Sequence, residues 1–287
     1  MLKNLNWYIL LWIVLLLEGF FPIFTYFALE SISLLWLVAF SIGMSLLFWF
    51  IVFLKEKLYK QYKKKELLFP TFMSALFLWV WGLLYFFWIK YSSPSIAAIL
   101  LLTQSFFAFI VFNLLWKEEY NKKQIIWAIL MFIWWTIVLY EWESFINIWA
   151  LIMIIATMTF TIWNYYTKQA SVKWASPFFL LVNRNILMIF VTSILAYTFA
   201  WGPDIESVKQ NFIWIFLIWF LVLFASKALW IRALTVLNSF VAITSFSIIP
   251  IIVLLLSFFI LDDVPSFVKL LWFIPIFVWS LLLVKKK

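Results

Sequence analysis

Three charged side chains stand inside otherwise apolar stretches of this chain: Glu18, Arg184 and Lys227. An ionisable group held in lipid is expensive, so it faces a partner or a polar path and is a functional candidate by default. Glu18 lies four residues before Pro22, whose ring removes a backbone hydrogen bond and predicts a kink. A carboxylate there could take up a proton, hold a cationic solute, or pair with Arg184 or Lys227 as a structural ion pair. Arg184 sits about two turns into its span between Asn183 and Asn185. Lys227 is expected about one turn from the end of its span, where its long stem could carry the ammonium out to the headgroups. Gln104, Asn113, Asn164, Thr161, Ser245 and Ser247 could line a polar path, or simply bond neighbouring helices together.

The chain has neither histidine nor cysteine. That removes disulfides, thiol chemistry and imidazole acid–base or metal chemistry together. No Gly-x-Ser-x-Gly elbow and no glycine-rich phosphate loop is present, and Asp262 and Asp263 are adjacent rather than facing. An enzyme is therefore not expected, and neither is a cofactor. Without a nucleotide-binding motif, any transport would be secondary. A channel would need a continuous polar ring, which these sparse groups do not supply.

The elements that must position these residues follow from composition. Apolar residues make up 68% of the 287 and charged ones 11%, with a mean hydropathy of +1.10. So much apolar surface needs lipid around it. Ten spans are predicted, at roughly 6–28, 33–54, 70–89, 93–115, 124–140, 146–166, 176–200, 211–230, 237–260 and 267–284. The first reads as an uncleaved helix rather than a signal peptide, because Glu18 interrupts it and no small-residue cleavage site follows.

The net charge of +9 is a topology signal rather than a nucleic-acid footprint. With the N-terminus inside, the cytoplasmic side collects Lys3, the lysines of 55–65, Lys117, Lys122, Lys123, Lys168, Lys173, Arg232 and Lys285 to Lys287. The outer side keeps Lys90, Lys209 and Lys269, and gathers Glu30, Glu141, Glu143, Asp204, Glu206, Asp262 and Asp263. Both termini are thus expected in the cytoplasm of a cell-membrane protein. The 55–65 cluster anchors that topology, with anionic headgroup binding as its alternative role.

The chain also repeats itself. Shifted by 144 residues, Ser95, Ala98 and Ile99 fall on Ser239, Ala242 and Ile243, and Glu118-Glu119 falls on Asp262-Asp263. One residue further, Trp127 and Trp134 fall on Trp272 and Trp279. Two units, 1–144 and 145–287, follow. Five spans is an odd number, so the second unit must enter the membrane upside down. The expected fold is an all-α membrane protein of ten transmembrane helices in two inverted five-helix repeats. Such a repeat places a shared site near the midplane and permits alternating access.

The pattern resembles the drug/metabolite transporter superfamily, and within it the ten-helix EamA-type carriers, over essentially the whole chain. The Ser/Ala-rich turns Tyr91-Ser92-Ser93-Pro94-Ser95-Ile96-Ala97-Ala98 and Leu237-Asn238-Ser239-Phe240-Val241-Ala242 carry the resemblance, with the acid-bearing loops that follow them. Pro250 matches the family's mid-helix proline and Arg184 its frequent arginine, whereas the first-half counterparts are Phe106 and Phe40. The resemblance implies a secondary transporter of small metabolites: amino acids, related organic solutes or drugs. The implied partners are a small-molecule substrate and the lipid bilayer, with no nucleic acid, in a monomer or homodimer. The alternatives are a non-transporting structural membrane protein and a multidrug or cation exporter working through Glu18. The substrate candidates are Glu18, Arg184, Lys227, Gln104, Asn164, Asn183 and Ser245.

One feature departs from the family. The chain has 21 tryptophans and 4 glycines, the reverse of usual membrane proteins, where glycine lets helices approach. Trp127, Trp134, Trp135, Trp149, Trp163, Trp272 and Trp279 stand where the family's closing helices carry glycine. We read many of them as UGA codons that mean glycine but stand translated as tryptophan. A ring-lined pocket for aromatic or cationic ligands is the competing reading.

Overall fold

The computed structural model describes residues 7–91, 94, 101–115, 125, 126, 129, 130, 133, 148–200, 205–237, 242, 243 and 245–262. Helix α1 (Trp7–Leu29) is joined by a tight turn to α2 (Leu34–Lys55), whose last turn carries Lys55 against the helix dipole. Lys57, in the left-handed region at φ 53°, turns the chain into a 3-10 segment, Leu58–Lys63. Helix α3 (Lys65–Tyr91) follows, with Pro70 near its start. Next come a 3-10 turn at Leu101–Thr103, a short α4 (Gln104–Ala108) and a π-wound stretch, Phe109–Leu115. The second half holds α5 (Ile148–Val172), α6 (Pro177–Phe199), the short α7 (Ile205–Gln210), α8 (Phe212–Val236) and α9 (Ile249–Leu261). Helix α6 begins with proline at its first position, where a missing N–H costs nothing.

Five of these helices, α1, α2, α3, α6 and α8, are long and apolar enough to cross a membrane among the described residues. Large apolar side chains line the outside, among them Leu47, Phe69, Phe190 and Phe259, as lipid allows and water would not. The described residues form no strand. The charged turn at 117–123, Asp263 and the tenth predicted span lie outside the described residues, as does most of the fifth. Trp127, Trp134, Trp135, Trp272 and Trp279 lie there too.

Three boundaries differ most from the sequence reading, and one of them is the end of α5, at Val172 rather than near residue 166. Helix α3 starts five residues earlier than predicted, because Lys65 and Glu66 continue the helix below the apolar window. Helix α8 continues to Val236 rather than ending near residue 230. Its last turns, with Arg232 and Thr235, are more polar than a hydropathy window accepts, yet the backbone continues.

The packing order is not the chain order. Helix α2 lies along α6, α3 along α5, and α1 along α8 and α9, so the first helix of the chain is held mainly by the second half. Gly19 marks the α1–α9 approach: a Cβ there would stand 2.5 Å from Ile252 Cγ2. A β-branched neighbour is stiff and cannot easily withdraw, so glycine is required at this crossing.

Candidate functional site

Glu18 sits midway along α1 and is buried. Pro22 has no N–H to donate to the Glu18 carbonyl, so the helix is locally weakened at the residue that carries the charge. Both carboxylate oxygens accept from Lys227 Nζ, each at 2.8 Å. Oε1 also accepts from the Ser226 hydroxyl. Ser226 closes a π-wound stretch of α8, Ile218–Ser226, and Lys227 follows it immediately. The wider winding re-aims side chains within a continuous helix, as π segments often do at functional sites.

Lys227 is 1% exposed and does not reach a headgroup. This corrects the expectation that it snorkels. Because α8 continues to Val236, Lys227 lies well inside the helix, and its ammonium is held by the carboxylate of α1. Its ammonium also stands over two ring faces, 5.2 Å from the Trp81 centroid and 5.8 Å from that of Trp163. Trp163 is itself buried and meets Phe160 edge to face.

Arg184, buried on α6, is close enough for Glu18 to act on it electrostatically, yet it is bonded to neutral groups. Its Nε donates to Asn185 Oδ1 at 2.7 Å and its Nη2 to the Leu223 carbonyl at 3.2 Å. Asn185 Nδ2 donates to Ser45 Oγ at 3.1 Å, and Ser45 in turn donates to the Leu223 carbonyl at 3.4 Å. The Leu223 carbonyl therefore serves α2 and α6 from within the π-wound stretch. Nη1 of Arg184 is buried with no hydrogen-bond partner among the described residues.

Residues 1–144 thus supply Glu18, Ser45 and Trp81 to this cluster, while residues 145–287 supply Trp163, Arg184, Asn185, Ser226 and Lys227. The remaining sequence candidates are placed elsewhere. Asn164 on α5 accepts from the Trp230 indole at 2.8 Å and donates to the Phe160 carbonyl, which joins α5 to α8. Asn183 accepts from the Tyr62 hydroxyl at 2.7 Å and ties the 3-10 segment to α6. Burial pushes the Tyr62 phenol above its ordinary value, and the bond to Asn183 opposes that in part. Ser245 donates to the nearby Ala242 carbonyl, a local bond. Gln104 is buried at the start of α4, and its Nε2 has no partner among the described residues. Thr161 donates to carbonyls of Thr157 and Gln104. The sequence reading missed Ser45, Ser226 and Trp81. Ser226 had one available signal, its place beside an intramembrane lysine; the other two had none, since small hydroxyls and rings are common in these spans.

A helical array around buried charges, with apolar side chains outward, defines a multi-pass membrane protein. Residues 5–140 match the model of the EamA-like transporter family. That stretch is similar to the family, whose members are membrane transporters of small solutes rather than enzymes, and the match is consistent with the likeness to the drug/metabolite transporter superfamily. A crystal structure of another protein aligns over 96% of this chain and 96% of its own, with a TM-score of 0.71 at 13% identity. At that identity the likeness is one of fold. No curated protein matches.

Proposed function

We propose that this protein is a secondary transporter that moves small metabolites across the cell membrane by alternating access between two inverted five-helix repeats, 1–144 and 145–287. Both termini face the cytoplasm in this reading. The observation that carries it is the bidentate Glu18–Lys227 pair, which is buried and joins α1 of one half to α8 of the other. A pair across the two halves is the contact that must exchange partners when one half rocks against the other. A purely structural pair would serve the fold no better than apolar side chains of similar volume.

The family match over residues 5–140 supports the transport assignment, and the paired sequence signatures 144 residues apart support the repeat. The test is flux into proteoliposomes holding the purified protein, screened with labelled amino acids and related organic solutes. Saturable uptake that stops in Glu18→Gln supports the reading. An inert vesicle across the whole screen returns the protein to the structural class.

A further inference from the structure

The three buried charges do not sum to zero. Among the described residues only Glu18, Arg184 and Lys227 are both charged and buried. Lys227 takes both oxygens of the one carboxylate, so Arg184 keeps its charge against an amide oxygen and a backbone carbonyl. Its Nη1 is buried and finds no acceptor among the described residues. A guanidinium removed from water is costly without a counter-charge. The sequence offers no second acid: within the ten predicted spans Glu18 is the only Asp or Glu.

We infer that the missing counter-ion is the solute, and that the transported substrate carries a carboxylate, or an anionic group of like geometry, which docks on Arg184 Nη1. This rests on the transport reading above and deepens it. The guanidinium is the group that suits such a ligand: it is planar, permanently charged and presents forked donors that match carboxylate oxygens. Its orientation is already fixed, because Nε and Nη2 are held by Asn185 and Leu223. Asn185 is held in turn by Ser45, so the fork is set before an anion arrives. With Lys227 matched by Glu18, the charge left over in this region is that of Arg184. A cationic solute would meet a net positive site, which disfavours the exporter of cations.

The test uses full-length protein in nanodiscs and measures thermal stabilisation by isosteric pairs: propionate against propionamide, and benzoate against benzamide, at constant ionic strength. The acid of each pair should stabilise at a concentration at least about tenfold lower than its amide, the discrimination expected of one charge-assisted contact. Arg184→Gln should erase that difference, while Lys209→Gln, at an exposed lysine, should leave it. Arg184→Lys keeps the charge without the fork and should weaken the preference without abolishing it. Acid and amide acting alike on the unaltered protein, or a preference that survives Arg184→Gln, overturns the inference. If Arg184→Gln does not fold, the comparison on the unaltered protein and Arg184→Lys still decides. Flux on the same preparation separates the two failures. Uptake without preference for acids removes the anion site and keeps transport, whereas acid binding without flux keeps the site and removes transport.

Discussion

Replacing Glu18 by glutamine removes one charge from the core and changes almost nothing in shape. The amide oxygen can still accept from Lys227 or Ser226, so one hydrogen bond survives where the carboxylate made three. What is lost is the counter-charge of a lysine that is 1% exposed. Stripping one partner from a buried pair costs about 3–5 kcal/mol, and the retained acceptor and the Trp81 and Trp163 faces place this case near about 3. Glu18→Gln should therefore lower the thermal midpoint in detergent or nanodiscs and stop flux. Lys227→Met should destabilise similarly, since it strands the carboxylate. The double substitution Glu18→Gln, Lys227→Met removes both charges and seats a thioether between two aromatic rings, a contact sulfur favours. It should recover most of the stability, costing about 1–2 kcal/mol against the parent, so that two single losses of about 3 kcal/mol give a coupling energy of about 4–5 kcal/mol in the cycle. Flux should not recover with it, because partner exchange needs the charges. A double variant that transports like the parent would refute the reasoning and make the pair structural. Additive losses, with no coupling, would refute the ion pair itself.

Three further outcomes are expected. Cysteines placed at Lys64 and Lys122 should react with a membrane-impermeant reagent only from the cytoplasm, and one at Asp263 only from outside; labelling of 122 and 263 from the same side ends the inverted repeat. Peptide mass spectrometry of the native protein should show glycine at 127, 134, 135, 272 and 279. The same readout at Trp49, Trp88 and Trp219 bears on the idea, because their buried indole N–H groups lack partners among the described residues and buried indoles usually find one. Tryptophan at 127, 134, 135, 272 and 279 sinks the codon reading. Gly19→Ala should cost about 1–3 kcal/mol by overpacking against Ile252, and a compensating Ile252→Ala should relieve part of it; a neutral Gly19→Ala would mean that α1 and α9 do not pack as described.

The helical membrane class was legible in the sequence because it depends on local quantities. A run of about twenty apolar residues must satisfy its backbone internally, so α1, α2, α3, α6 and α8 follow from composition and length. Glu18, Arg184 and Lys227 were legible for the same reason, since a charge within such a run is conspicuous. The partner of Glu18 was not. Arg184 and Lys227 were equal candidates on sequence, and the choice of Lys227 depends on α1 packing against α8, an approach that joins residues 209 apart. Nor could hydropathy show that α8 continues to Val236, which moves Lys227 from a snorkelling position to the interior. The fork of Arg184, held on two sides and buried without a partner among the described residues on the third, exists only because α2, α6 and the π-wound stretch of α8 meet at the Leu223 carbonyl. Burial cost is set by the local sequence, but which groups relieve it depends on contacts between helices far apart in the chain.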